Sequence, residues 1–85
     1  MDELDWIRIN VLIDKLKSDL AIQSAVQKVL LTRINTIEKH LVTKFDDVTL
    51  SMYYLQDEIC QAKITSITIQ IAKLTGEIKN EDGLH

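Results

Sequence analysis

Proline is absent from the 85-residue sequence, and glycine occurs only at Gly76 and Gly83. Compact folds with several sharp reversals normally use Gly, Pro, Asn and Asp to turn the chain. From Met1 to Thr75 the chain contains neither glycine nor proline. This absence argues against a loop-rich fold and favours long helices joined by few turns.

Cysteine occurs once, at Cys60, so the chain cannot form an internal disulfide bond, and a reducing compartment is favoured. Long apolar runs are missing as well, since a membrane-spanning helix needs about 20 apolar residues. The N-terminus is acidic, unlike the basic start of a signal peptide. We therefore expect an intracellular protein, cytoplasmic rather than nuclear, that is not secreted and does not insert into a membrane.

Basic clusters are also missing. The ten Lys and Arg residues are spread singly along a chain of net charge −3. No segment concentrates the positive charge that binds a phosphate backbone. Nucleic acid is therefore not an expected partner.

Motifs for catalysis or metal binding are absent too: there is no phosphate-binding glycine loop, paired CxxC or HExxH motif. On a helix, His40 and Asp47 would lie about 10 Å apart, too far to share a metal ion. Cys60 has no nearby histidine to activate its thiol, and the adjacent Asp57 and Glu58 point in different directions. We expect no enzyme activity, cofactor, metal site or small-molecule substrate.

The sequence does contain apolar residues at helical spacing. Steps of seven from Trp6 reach apolar positions as far as Leu41, with only Gln27 polar, and a companion row three residues later runs to Ile37. Alternating steps of three and four form one stripe along a helix. This first block contains Trp6, Ile9, Ile13, Leu16, Leu20, Leu30, Ile34, Ile37 and Leu41.

Beyond Leu41 the apolar spacing continues in shifted phases. The second block contains Phe45, Val48, Met52, Leu55 and Ile59, and the third contains Ile64, Ile67, Ile71, Leu74 and Ile78. Each shift resembles a stutter, the insertion of four residues into a heptad pattern. The pattern predicts an all-α fold: a long amphipathic helix over about 3–78 in a coiled coil or helical bundle, with stutters near 41–45 and 59–64.

The ends of this helix can also be read from the sequence. Asp2, Glu3 and Asp5 place negative charge at the positive end of a first helix. We predict a single helical oligomerisation module over 1–79, with the helix ending between about 75 and 80, and a disordered polar tail over 80–85.

Two internal breaks are left open. A turn near 43–49 would let Asp46 or Asp47 cap a second helix, and a further break at 18–19 would give a three-helix bundle. Two segments, 7–11 and 64–71, alternate apolar and polar residues as strands do. Both also fit the helical stripes and neither adjoins a hairpin turn, so helix is favoured over strand.

The first block is wider than a two-helix seam requires. It is bordered by Leu12, Ile22, Val26, Val29 and Leu31. Each buried Leu or Ile is worth about 1.5–3 kcal/mol, so the chain is expected to bury this face by association. Mixed Ile and Leu in both rows favour three or four helices over two. Gln23 and Gln27 either form a buried polar layer that fixes the register or face solvent.

Aromatic residues offer candidate anchors. Trp6 occupies a stripe position, so we predict that it belongs to the core, although a partner-binding role is the alternative. Tyr53 and Tyr54 are adjacent and cannot both face one seam. At least one of them is expected at the surface, where it could dock a partner.

Together these features predict a non-enzymatic oligomerisation or scaffold module that binds copies of itself as a trimer or tetramer. It could serve as the multimerising stalk of a larger protein or of a viral cofactor. One alternative is a subunit that donates a helix or hairpin to a mixed bundle with another helical protein, of cytoskeletal, trafficking or membrane-fusion type. The other is a monomeric helical adaptor domain.

Overall fold

The computed structural model describes the backbone of residues 2–40 and 44–83 and the side chains of residues 2–40 and 46–79. Two long helices make up this part of the chain: α1 spans Glu3–Lys39 and α2 spans Lys44–Gly83. They pack side by side as an antiparallel hairpin, because Gln23 contacts Cys60 while Arg33 contacts Tyr53. The predicted all-α fold is confirmed.

Both ends of α1 are closed by local hydrogen bonds. The Asp2 carboxylate accepts a bond from the backbone N–H of Leu4 at 3.3 Å and so caps a free donor of the first turn. Glu3 and Asp5 add negative charge at the positive end of the helix dipole. At the other end, the backbone N–H of His40 donates to the carbonyl of Ile37 at 3.1 Å.

The helices end close to the turn that the sequence left open. α1 stops at Lys39 and α2 starts at Lys44, so the break reaches the start of the expected range of 43–49 and interrupts the predicted helix over 3–78. Asp46 and Asp47 lie in the first turn of α2 rather than at its cap. Residues 41–43 lie outside the described part of the chain.

The other open questions are also decided. α1 runs without interruption through 18–19, so the three-helix alternative is wrong. The segments 7–11 and 64–71 are both helical, which confirms the preference for helix over strand.

The helices meet along one line of side chains, here called the seam. It contains Ile9, Ile13, Leu16, Leu20, Gln23, Gln27, Leu30, Ile34 and Ile37 of α1, and Leu50, Tyr53, Asp57, Cys60, Ile64, Ile67, Ile71, Leu74 and Ile78 of α2. All of them are buried or partly buried. Their spacing alternates between three and four in each helix, so the seam has no stutter at 59–64. The shift near 41–45 coincides with the turn between the helices.

The resulting molecule is a thin rod. Its extents are 63 × 15 × 15 Å and its radius of gyration is 18.9 Å, whereas a compact domain of this length would have a radius of about 12 Å. The buried apolar residues of the described chain are few: Ile13, Leu16, Leu30, Ile34 and Cys60. Two helices bury only one stripe each, so the core is a single line of contacts.

Gly76 lies inside α2, which continues to Gly83 and thus beyond the expected helix end. A methyl group at Gly76 would meet nothing within 4 Å. We expect Gly76→Ala to raise the free energy of unfolding by about 0.5–1 kcal/mol, because alanine loses less backbone entropy in a helix. Urea unfolding measures the change. The reverse substitution at exposed Ala72, Ala72→Gly, should lower stability by a similar amount, and a loss of stability in Gly76→Ala would contradict a helical Gly76.

Candidate interaction surface

The middle of the seam is polar. The Cys60 thiol donates to the backbone carbonyl of Gln23 at 3.1 Å and lies 3.6 Å from its side-chain oxygen. Asp57 is only 7% exposed, and one oxygen of its carboxylate accepts a hydrogen bond from Gln61 at 2.8 Å. Its other oxygen, Oδ1, has no hydrogen-bond partner among the described residues.

This polar segment weakens the contact between the helices, since a buried carboxylate that lacks full hydrogen bonding costs free energy. Gln23 and Gln27 lie partly buried in the same segment, which agrees with a polar layer rather than with glutamines facing solvent. Their role in fixing the register stays a prediction.

The two adjacent tyrosines divide between opposite sides of the hairpin, as expected for neighbours on a helix. The Tyr53 hydroxyl accepts a hydrogen bond from Arg33 at 3.2 Å, and the guanidinium carbon lies 5.9 Å from the ring centre, within range of a cation–π contact. Tyr54 is exposed, and its hydroxyl contacts the Glu38 carboxylate. A docking role for either tyrosine stays a prediction.

The side of the hairpin that carries Arg33 and Tyr53 holds a group of exposed apolar residues. A groove of about 320 Å³ opens there between the helices, and it is lined by Ala25, Val26, Val29, Leu30, Arg33, Tyr53 and Gln56. Helical spacing of three and four places Ile22 beside Val26 on α1, and Met52 and Ile59 beside Gln56 on α2. We call Ile22, Val26, Val29, Met52 and Ile59 the apolar face; all five are exposed.

The opposite side, which carries Glu38 and Tyr54, is polar. Steps of seven residues from these two positions define its rows, since such steps return to the same side of a helix. The rows contain Asn10, Lys17, Ser24, Leu31 and Glu38 of α1, and Asp47, Tyr54, Gln61, Thr68 and Thr75 of α2. We call this side the polar face. Leu31 is the only aliphatic residue of these ten, whereas the opposite side carries the five residues of the apolar face beside polar residues such as Arg33 and Gln56.

The second apolar block lies outside the seam. Val48, Met52, Leu55 and Ile59 are all exposed, so they do not pack against α1 as a shifted seam would. The Phe45 side chain lies outside the described part. The second block lies on the exposed side of α2, whereas the third block lies in the seam. The apparent stutter at 59–64 is the point at which the apolar pattern passes from one side of α2 to the other. Contact of the block with a partner stays a prediction.

The first and third blocks do line the seam within the hairpin. Residues of the first block from Ile9 to Ile37 are buried or partly buried, as are those of the third from Ile64 to Ile78. Trp6 is 45% exposed at the open end, in the first helical turns, so it lies outside the core of the single hairpin. Its place in the core of an assembly stays a prediction. Leu41 lies outside the described residues.

The sequence reading missed the first half of the α2 seam. Leu50, Tyr53 and Asp57 precede Cys60 at steps of three and four, a signal that counting backwards from Cys60 would have found. The charged residue Asp57 interrupts this row, so the row does not stand out as apolar in the sequence. The fully apolar spacing from Val48 to Ile59 was the stronger pattern.

In the described residues no three His, Cys, Asp or Glu side chains lie together as metal ligands. Neither helix, over the ranges given above, is long and apolar enough to cross a membrane. A scan against protein-family models and searches of curated proteins and of solved structures found no match.

Proposed function

We propose that this chain is a non-enzymatic oligomerisation module whose subunit is the helical hairpin and whose partner is a copy of itself. The observation that carries the proposal is the imbalance of apolar burial. At least fifteen large hydrophobic side chains are exposed, against five buried apolar residues in the described chain. Apolar side chains gain free energy when they leave water, so such a surface favours association.

The exposed area supports the same proposal. The chain has an accessible surface of 6447 Å², about 1,300 Å² more than the roughly 5,200 Å² expected for a compact monomer of this mass. Each partner of a standard protein interface contributes about 800 Å². The excess is thus large enough for one interface.

The hairpin also bears on the number of chains. The mixed Ile and Leu rows favour three or four helices, and each chain supplies two. A pair of chains therefore reaches four helices, whereas the trimer or tetramer expected for single helices would hold six or eight. The role would be valency, because holding copies together raises the effective concentration of any sequence attached to them.

The test is the solution mass of the purified chain, measured by light scattering after size exclusion over a wide concentration range. A fixed multiple of 9.8 kDa is expected. A mass of 9.8 kDa at every concentration would contradict self-association.

One alternative has an observation in its favour. The groove beside Arg33 and Tyr53, of about 320 Å³, could accept side chains of a foreign helix, which is what a monomeric adaptor or a subunit of a mixed bundle would need. A folded monomer would favour the adaptor. A poorly folded monomer that gains helix content on mixing with another protein would favour the mixed bundle.

A further inference from the structure

We infer that the apolar face is the surface on which a second copy of the chain packs, so that two hairpins form a four-helix bundle. The inference rests on the proposed self-association and adds to it the surface, the occupant and the number of chains.

The distribution of residues around each helix carries the first step. A helix in a four-helix bundle contacts two neighbours, so it buries its seam and one flanking row rather than the seam alone. In α1 Val26 flanks the seam directly, and Ile22 and Val29 lie one row further out. In α2 Met52 and Ile59 lie one row beyond the polar row that contains Gln56 and Lys63. The apolar residues of both helices thus lie on the same side of the hairpin, and the polar face on the other side is left for water.

The position of these residues along the rod carries the second step. The contact between Gln23 and Cys60 places Ile22 level with Ile59, and the groove places Val26 and Val29 level with Gln56. The apolar face therefore spans both helices at one level of the rod, with Arg33 and Gln56 beside its residues in the groove. A two-fold axis through such an area brings it against itself, which closes the assembly at two chains.

Area supports a second copy as the occupant. The excess surface of the whole rod, about 1,300 Å², exceeds the roughly 800 Å² that each partner contributes to a stable interface. None of the five residues of the face is charged, and Arg33, the charged side chain that lines the groove beside them, is held by Tyr53 of the same chain. Two copies therefore meet through the five residues without bringing like charges of the face together.

The experiment compares substitutions on the two sides of the hairpin. Val29→Glu and Ile59→Glu place a charge on the apolar face, and Leu31→Glu places the same charge on the polar face. The three side chains are similarly exposed in the single chain, at 51%, 49% and 47%. The dissociation constant is measured by sedimentation equilibrium, and helix content is recorded by circular dichroism. Wild-type chain is expected at twice 9.8 kDa.

We expect Val29→Glu and Ile59→Glu each to weaken the dimer at least about 100-fold, because two copies of each charge enter one interface. Leu31→Glu should change the dissociation constant by no more than about threefold. If a glutamate variant loses its helix content, Val29→Ser replaces it, and a weakening of at least about 10-fold is expected from the lost apolar area.

The two proposals fail in different ways. A wild-type chain that stays at 9.8 kDa overturns self-association and the inference with it. A wild-type chain that associates, while Val29→Glu and Ile59→Glu keep its mass, overturns the inference alone. Dissociation by Leu31→Glu would likewise place the interface on the polar face. A wild-type mass above two chains would overturn the closed dimer.

Discussion

Leu30→Asp should unfold the hairpin, whereas the same substitution at the next residue, Leu31→Asp, should leave it folded. Leu30 is buried in the seam, and Leu31 lies on the exposed polar face. Loss of a buried leucine costs about 2–5 kcal/mol, and the introduced carboxylate must also leave water. We expect Leu30→Asp to lower the free energy of unfolding by at least about 4 kcal/mol and Leu31→Asp by less than about 1 kcal/mol.

The pair is well matched, because both changes replace leucine with aspartate in the interior of α1 and carry the same cost in helix propensity. Only the surroundings of the side chain differ. Urea unfolding followed by circular dichroism measures both variants, at one protein concentration so that association does not alter the comparison. Equal destabilisation by the two substitutions would contradict the orientation of α1 in the hairpin.

Asp57→Leu should have the opposite effect and stabilise the protein. The Asp57 carboxylate is buried in the seam, and its Oδ1 lacks a hydrogen-bond partner among the described residues. Leucine would continue the apolar row from Cys60 and remove the buried charge. Leaving a buried polar atom unsatisfied costs about 1–3 kcal/mol, so we expect a gain of that size.

Asp57→Asn separates charge from shape. Asparagine keeps the size of the side chain and can still accept the hydrogen bond from Gln61, but it carries no charge. The expected order of melting temperatures is leucine above asparagine above aspartate. If both variants melt below the wild-type protein, Oδ1 must receive a hydrogen bond in the assembled protein, and the account of an unsatisfied carboxylate would be wrong.

Leu30→Asp and Asp57→Leu test the same physical account of the hairpin. The hairpin buries few side chains, and part of its seam is polar, at Asp57, Gln23 and Gln27. Such a chain gains little stability from its internal contacts, because folding also orders a long backbone at the cost of conformational entropy. Its stability should therefore rise with protein concentration, since association adds to the free energy of folding. Folding and assembly are then closely linked.

Much of the fold could be predicted from the sequence. The absence of proline and glycine before Gly76 indicated long helices, and the first block from Ile9 to Ile37 identified the side of α1 that packs. These predictions succeed because they depend on local properties: backbone freedom and the period of one helix. The wide apolar surface around Val26 and Val29 was visible for the same reason.

Only the tertiary structure decided how α2 is oriented. Its sequence carries two apolar stripes, one through Val48 and Ile59 and one through Ile64 and Ile78, and helical period alone does not say which of them meets α1. Packing of the hairpin selected the second stripe and extended it through Tyr53 and Asp57, which left the first stripe exposed. Periodicity is a property of one helix. The choice of a seam depends on the surfaces of two helices together, because burial is gained only where both present apolar area at the same level.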